Sequence, residues 1–320
     1  MAWPAKHRGR AVTRPTGSDE RLALAALTWI GEPGKTQLAA MVRVHGPVKT
    51  LELIRAGRLP LANGLAVTRD AQRAMNRWHA MLAKVPPHDE ILETLGRFRL
   101  VCPGDAEWPG GLDGLGDAAP VALWMTGQAD ARFSCLRAVA VTGSRAATAY
   151  GSYLAAEISA SLAARQVTVI SGGSFGVDAA AHRGALGADG VTVVVLPCGL
   201  DVPYPAAHAE LFAAITAQGV LVSEAPPGTM PGRLRFQARN RVVAALAVGT
   251  AIIEANSRSG AMTVARHARD LGRPVMAVPG PVTSDLSAGC NDLIRSGRAV
   301  LVSTANDVIE TLPATSQPTG

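Results

Sequence analysis

Short apolar runs alternate with longer amphipathic runs along the second half of the chain. The short runs are rich in β-branched residues, whereas the longer runs have helical spacing. Because strands buried on both faces are apolar throughout, this alternation predicts a parallel sheet covered by helices on both faces. The predicted strands are 138–142, 167–171, 192–196, 220–223, 251–254, 275–278 and 300–302, and the predicted helices between them are roughly 151–165, 177–188, 206–218, 236–247, 261–271 and 291–296.

The first part of the chain has helical patterns only. They cover 22–29, 37–45, 48–56 and 68–85. These patterns predict a small all-helical domain over 18–85. Pro86-Pro87 ends it, so we expect a linker at 86–99 and the sheet domain at 100–312. The polar ends, 1–17 and 313–320, are predicted to be disordered tails, the first of them basic.

Positive charge is concentrated in the N-terminal part. Residues 1–100 contain 16 Lys and Arg against 8 Asp and Glu, whereas residues 101–320 contain 15 against 17. A basic segment suits a polyanionic partner, although an Arg-rich composition alone would give the same excess. Every lysine precedes residue 85. Phosphate contacts in the sheet domain must therefore come from arginines, backbone N–H groups or hydroxyls.

Other features exclude several classes of protein. The four cysteines lie far apart without a C-x-x-C motif, which argues against a disulfide scaffold and a zinc ribbon. The longest nearly apolar run, 242–253, is too short to span a membrane, and no apolar stretch follows the N-terminal charges. The histidines have no metal-ligand spacing, and His182 with Asp178 suggests a structural pair. We expect a cytoplasmic protein without a membrane segment, metal or cofactor.

Glycines, hydroxyls and arginines follow several predicted strands. The turns are Gly143-Ser144-Arg145, Ser171-Gly172-Gly173-Ser174-Phe175-Gly176 and Asn256-Ser257-Arg258-Ser259-Gly260. Ligands of parallel sheets bind outside the carboxyl ends of the strands, and helix N-termini there offer N–H groups to anions. The pattern indicates phosphate binding; the alternative is a set of ordinary tight turns.

A basic cluster at 232–241 contains four arginines, no acid and Phe236. Arginines that follow a backbone and a ring that stacks on a base are typical of single-strand binding. The alternative is a solvated basic helix start with Phe236 in the core.

Two nucleotide-binding motifs are absent. Gly34-Lys35-Thr36 resembles the end of a P-loop, but Trp29 stands where that motif has its first glycine, and no G-x-G-x-x-G follows the first strand.

In this order, the motifs resemble the DprA/Smf family of DNA-processing proteins. The similarity covers about residues 100–303 and, more loosely, 18–85, which resembles a SAM-like or helix-hairpin-helix module. The matching segments are Gly143–Arg145, Ser171–Gly172, Gly176–Asp178, Ala181–Leu186, Cys198–Asp201, Tyr204–Pro205, Ser223–Glu224, Pro226–Gly228, Phe236, Arg239–Arg241, Arg258–Gly260, Thr263, Val278–Gly280, Ser287, Gly289, Asn291 and Leu293–Ile294.

The resemblance implies an α/β, extended Rossmann-like fold and a homodimer that binds single-stranded DNA without sequence preference. It implies a role in competence, DNA-mediated transformation and recombination, in which the protein protects incoming strands and loads RecA recombinase past single-strand-binding protein. It implies no catalysis.

The resemblance also assigns site residues. Arg145 would bind a phosphate, Phe236 would contact a base, and Arg233 would replace a nearby basic residue of the family. Phe175 stands where many members have arginine, which removes one phosphate contact and adds a ring. The full expected DNA-binding set is Gly143, Ser144, Arg145, Ser171, Gly172, Gly173, Gly176, Arg233, Phe236, Arg239, Asn240, Arg241, Arg258, Ser259, Gly260 and Thr263.

Two rival hypotheses come from other functional classes. A nucleotide phosphoribohydrolase of the LOG type has a related fold and a P-G-G-x-G-T-x-x-E pattern. Residues 172–178 share its glycines but lack its Thr and Glu. The second rival is a RecA-interaction scaffold with weak DNA binding, against which the basic cluster argues.

Overall fold

The computed structural model describes residues 17–59 and 68–313, so the predicted tails lie outside the described residues except for Gly17 and Pro313. The helices are α1 Ser18–Ile30, α2 Thr36–His45, α3 Pro47–Arg55, α4 Arg69–Met81, α5 His88–Arg97, α6 Ala131–Leu136, α7 Ala149–Ala163, α8 Val177–Gly187, α9 Ala209–Gln218, α10 Arg233–Leu246, α11 Gly260–Asp270, α12 Ala288–Arg295 and α13 Ala305–Thr311. The strands are β1 Arg99–Val101, β2 Leu123–Gly127, β3 Ala138–Thr142, β4 Thr168–Ser171, β5 Thr192–Leu196, β6 Val220–Ser223, β7 Gly249–Ile252, β8 Val275–Ala277 and β9 Val300–Leu301.

The strands form one nine-stranded sheet in the order β1-β2-β6-β5-β4-β3-β7-β8-β9. In the part of the sheet ordered β6-β5-β4-β3-β7-β8-β9, every pair of neighbouring strands is parallel, which confirms the predicted α/β architecture. The exception is at one edge, where β2 runs antiparallel to both β1 and β6. Sequence patterning did not predict this antiparallel edge, because 99–125 lacks a regular alternation.

Successive strand residues point to opposite faces, and each face has its own core. Ala138, Ala140 and Ile170 pack in one cluster with residues of α10 and α11. Val139 and Val141 pack in another cluster with residues of α7 and α8. Both sets are fully buried, as expected of a sheet covered on both sides.

The order of the strands reverses direction at β3. The chain builds β4, β5 and β6 on one side of β3 and then crosses back to place β7 on the other side. Such a topological switch point opens a crevice at the carboxyl ends of the two strands that flank it. The turns that follow β3 and β7, 143–148 and 253–259, lie on the two sides of this crevice.

The N-terminal helices pack directly on the sheet. Trp124 of β2 donates from Nε1 to Thr28 Oγ1 of α1 at 3.1 Å, and its ring meets Trp29 at 5.5 Å between centroids. The predicted linker, 86–99, is not an irregular connection. It contains α5, and this helix is held in place because its residue Ile91 is buried in the core that includes residues of α1 and β2. Since one core joins residues of the N-terminal helices and of the sheet, the division into a helical domain, 18–85, and a sheet domain, 100–312, stays a prediction.

Candidate functional site

The turn after β3 presents Arg145 to solvent from a rigid backbone. Ser144 N donates to Glu254 O at 2.6 Å. The buried Glu254 carboxylate accepts from Thr148 N at 2.8 Å and from Thr148 Oγ1 at 2.9 Å. A Cβ at Gly143 would lie 2.5 Å from Glu254 O, so only glycine fits there. Glu254 thus joins the turn after β3 to the end of β7 across the switch point.

Arg145 meets an aromatic pair at the carboxyl edge of the sheet. Its guanidinium carbon lies 4.5 Å from the centroid of Phe236, in the first turn of α10. Tyr204, after β5, meets Phe236 edge-on at 5.8 Å between centroids. Stacking uses the face of a guanidinium, while its N–H donors lie in the plane and stay directed outward. The cluster therefore combines the hydrogen-bond donors of a guanidinium, which suit an anion, with an aromatic surface.

The turn after β4 packs tightly against the turn after β3. Gly173 and Gly176 both have φ of +72°, which favours glycine. A Cβ at Gly176 would lie 2.7 Å from Arg145 O, so the two backbones are in direct contact. The second turn is thereby held beside Arg145.

Two N–H groups at the start of α8 and in the turn before it are bonded within the protein, so fewer N–H groups face an anion there than the sequence predicted. The buried Asp178 carboxylate accepts from Ser174 N at 3.2 Å and from Thr142 Oγ1 at 2.8 Å. Val177 N donates to Ser144 O at 3.1 Å. The Asp178 carboxylate partly compensates the positive end of the helix, which weakens the attraction of this turn for a phosphate.

The small residues of the two turns hydrogen-bond to the backbone or leave room for a neighbouring side chain. Ser171 is buried and donates from Oγ to Val141 O at 2.6 Å. Ser144 is also buried, and its Oγ accepts from Ala146 N at 3.1 Å. Gly172 covers the Arg239 guanidinium so closely that a Cβ would overlap it. These residues shape the turns rather than face solvent.

Three expected DNA contacts on α10 are buried, with 8% of Arg239, 7% of Asn240 and 5% of Arg241 exposed. Arg239 donates to Val195 O at 2.7 Å, and Asn240 Nδ2 donates to Gly260 O at 3.2 Å. Their burial and internal hydrogen bonds argue against direct contact of these three side chains with DNA.

Arg241 is the most fully bonded of the three. It pairs with Glu224 through two hydrogen bonds of 2.7 and 2.8 Å, and its Nε donates to Ala118 O at 2.7 Å. Arg239 differs, because its Nε has no partner among the described residues. Burial lowers the pKa of Arg239; Asp178 opposes this shift and Arg145 adds to it.

The turn after β7 places Arg258 in solvent and begins α11. Ser259 caps that helix, since its Oγ accepts from Ala261 N at 3.2 Å. Gly260 is exposed and Thr263 is half-buried in the first turns of α11. Arg233, the first residue of α10, is exposed as well. Solvent-facing cations thus come from three segments, at Arg145, Arg233 and Arg258.

The expected DNA-binding set left out three residues that build the site: Tyr204, Glu254 and Asp178. The position of Tyr204 after β5 was a usable signal, because the turns after parallel strands share one edge. The two carboxylates gave no such signal, since their roles depend on tertiary contacts.

His182 has a structural role, though not with Asp178. Its Nδ1 lies 2.7 Å from Thr192 Oγ1, which itself donates to Val169 O at 2.8 Å. Thr192 Oγ1 therefore accepts a hydrogen bond from His182, and His182 Nδ1 carries the proton.

Within residues 17–59 and 68–313, no group of three or more His, Cys, Asp or Glu is arranged to hold a metal ion. Nor does any helix of that part have the length and apolarity needed to cross a membrane.

The family model and the curated relatives identify one family. The family model described as DNA recombination-mediator protein A matches residues 99–313. A Mycobacterium tuberculosis relative, provisionally named DNA processing protein DprA, is 46% identical over 298 residues, which are 90% of this chain and 74% of the relative.

Two solved structures are also similar. DNA processing protein A from Streptococcus pneumoniae has a TM-score of 0.75 and 29% identity, covering 92% of this chain and 98% of that one. DNA processing protein A from Helicobacter pylori, described by its single-stranded DNA binding mode, has a TM-score of 0.59 and 30% identity, covering 67% and 95%.

Proposed function

The chain belongs to the DNA recombination-mediator protein A family, the DprA/Smf proteins, and from that premise we propose that it binds single-stranded DNA. The strand lies across the carboxyl edge of the sheet at the β3/β7 switch point. The Helicobacter pylori relative, described by its single-stranded DNA binding mode, supports the class of ligand.

One observation carries the proposal: an exposed arginine stacked on an aromatic ring at the ligand edge. Arg145 lies 4.5 Å from the centre of Phe236, and Tyr204 supports the same ring. A phosphate can accept from the in-plane N–H groups of Arg145 while a base stacks beside it. Neither contact depends on base identity, so binding is not sequence-specific.

The proposed contact set is smaller than the one expected from sequence. Arg145, Arg233 and Arg258 contact phosphates, and Phe236 stacks on a base. Gly143, Gly176, Ser259, Gly260 and Thr263 line the edge between them. The buried residues act behind this surface: Ser144, Ser171, Gly172, Gly173, Arg239, Asn240 and Arg241 hold the turns and α10 in place.

The wider role follows the family. We propose a cytoplasmic, non-catalytic homodimer that protects DNA strands during transformation and recombination, and that loads RecA recombinase in competition with single-strand-binding protein. Against the nucleotide-hydrolase alternative, Asp178 is buried and accepts hydrogen bonds from Thr142 and Ser174. A carboxylate held in this way is poorly placed for acid–base chemistry on a nucleotide.

The test is fluorescence anisotropy with labelled oligothymidylate and duplex DNA at two salt concentrations. We expect tighter binding of the single strand, with a log–log salt slope of roughly −2 if about three phosphates are contacted. Arg145→Ala should weaken binding about tenfold and reduce the slope by about 0.7, because it removes a phosphate contact and the guanidinium on Phe236.

A matched control is Arg132→Ala, an exposed arginine on α6 at the opposite end of the sheet, which should bind like the wild type. Equal affinity for Arg145→Ala and Arg132→Ala would remove Arg145 from the site. Release of adenine from AMP, together with no DNA binding at low salt, would favour the nucleotide hydrolase instead.

A further inference from the structure

Phe175 is an exposed aromatic side chain on a rigid turn at the ligand edge. It lies in the turn after β4, and 49% of its surface is exposed. The neighbouring glycines, Gly173 and Gly176, have positive φ, so the backbone of this turn has a defined shape. Its place on the edge that carries Arg145 and Phe236, rather than its exposure alone, makes this ring a candidate surface for the apolar face of a ligand.

The ring is supported from below by a chain of aromatic contacts. Phe175 meets His208 edge-on at 4.7 Å, and His208 meets the core residue Phe212 at 6.0 Å and 90°. His208 is itself fixed, with Nδ1 3.1 Å from Gly173 O. The series leads from the surface to the core and limits the movement of Phe175. A ring held in this way loses little conformational entropy when a flat ligand stacks on it.

The same turn offers a phosphate fewer N–H donors and less positive charge than a free helix N-terminus would. Asp178 places a buried carboxylate at the N-terminus of α8, and Ser174 N and Val177 N donate to protein acceptors. The backbone of Gly176 nevertheless touches that of Arg145, so Phe175 lies beside the arginine that we assign to a phosphate. A nucleobase adjacent to that phosphate fits both observations.

We infer that Phe175 forms a second base-stacking position, separate from Phe236, for an unpaired nucleobase of the strand. The inference rests on the proposed function and adds to it. Arg145 then has a ring on each side along the strand: Phe236 lies against its guanidinium, and Phe175 precedes Gly176, whose backbone touches that of Arg145. Stacking of this kind accepts every base, because each has a π face.

The experiment compares Phe175→Leu and Phe175→Trp in the full chain by anisotropy. The probes are labelled oligothymidylate and an abasic strand of equal length and charge. Phe175→Leu should lose about tenfold in affinity for oligothymidylate, with an unchanged salt slope, because it removes stacking and no ionic contact. Phe175→Trp should bind within about twofold of the wild type. Both variants should bind the abasic strand like the wild type.

Phe133→Leu is the matched control. Phe133 is 70% exposed on α6, at the opposite end of the sheet, and its loss should change nothing. If Phe175→Leu does not fold, the Trp variant decides, since oligothymidylate should quench its emission more than that of the wild type, and the abasic strand should not.

Each negative result has a distinct meaning. Wild-type protein that binds no single strand contradicts the proposed function itself. Wild-type protein that binds, with Phe175→Leu at full affinity or with an equal loss on the abasic strand, contradicts only the Phe175 assignment. For the Trp variant, the absence of additional quenching contradicts it as well.

Discussion

The two halves of the arginine-rich part of α10, 233–236 and 239–241, each contain two arginines but have opposite environments. Its first turn exposes Arg233 and half-buries Phe236, beside Arg145. One turn later, Arg239, Asn240 and Arg241 are buried and hydrogen-bonded within the protein. The difference teaches that an arginine-rich stretch is not one functional unit. Available partners, more than composition, separate ligand contacts from structural contacts.

The buried half has a physical reason for its charge. Arg241 holds Glu224 of the β6 end and the carbonyl of Ala118, which lies before β2. Gly34 of the N-terminal helices packs on the same helix, because a Cβ there would lie 3.3 Å from that of Ala238. The buried half of α10 therefore anchors the helix that carries Phe236 to the sheet and to the N-terminal helices.

The largest expected effect is on stability, from Arg241→Met. Removing one partner of a buried ion pair leaves Glu224 without its cation, which should lower the free energy of unfolding by about 3 kcal/mol. Urea denaturation measures this. Arg233→Met is the matched control and should change stability by less than about 0.5 kcal/mol. Equal losses in the two variants would break the contrast between the halves of α10.

His182 is another buried basic group, and the pH dependence of stability tests how its burial differs from the exposure of surface histidines. Burial lowers the pKa of His182 from its ordinary value of 6.5 to about 3. As pH falls below 6.5, the unfolded chain gains a proton at this position that the folded chain does not, so stability decreases down to the folded pKa. At pH 5 the expected loss relative to pH 7 is about 2 kcal/mol.

Urea denaturation at several pH values tests this expectation. His182→Gln should have a flatter pH dependence than the wild type, whereas His88→Gln, at an exposed position, should keep the wild-type dependence. Identical curves for all three proteins would show that His182 is not the group responsible.

The smallest expected effect is on DNA affinity, from Arg233→Ala. Loss of one exposed phosphate contact should weaken oligothymidylate binding about fourfold at 0.15 M salt and reduce the salt slope by about 0.7, with stability unchanged. Anisotropy titrations at several salt concentrations measure both quantities. An unchanged slope would remove Arg233 from the contact set and leave Arg145 and Arg258 as its arginines.

The sheet was predictable because its strands are buried on both faces. β3, β5 and β6 have the bounds that the apolar runs predicted. β7 begins two residues earlier than expected, at Gly249, and Glu254 leaves the sheet to bind the Arg145 turn. β1 and α5 were missed, since both lie in 86–101, where local signals are weak and packing on α1 and β2 determines the structure.

Sequence alone determined the α/β architecture, the sheet edge at which the glycine-rich and arginine-bearing turns lie, and the arginine and aromatic chemistry available there, because periodicity and strand ends are local properties. The tertiary structure decided which of those side chains face solvent at that edge. Arg241 is buried because its partners, 17 and 123 residues away along the chain, converge on it. Arg145 is exposed, while the Glu254 carboxylate, whose residue also bonds Ser144 N, binds Thr148. Such pairings depend on distances in space, which residue order does not encode locally.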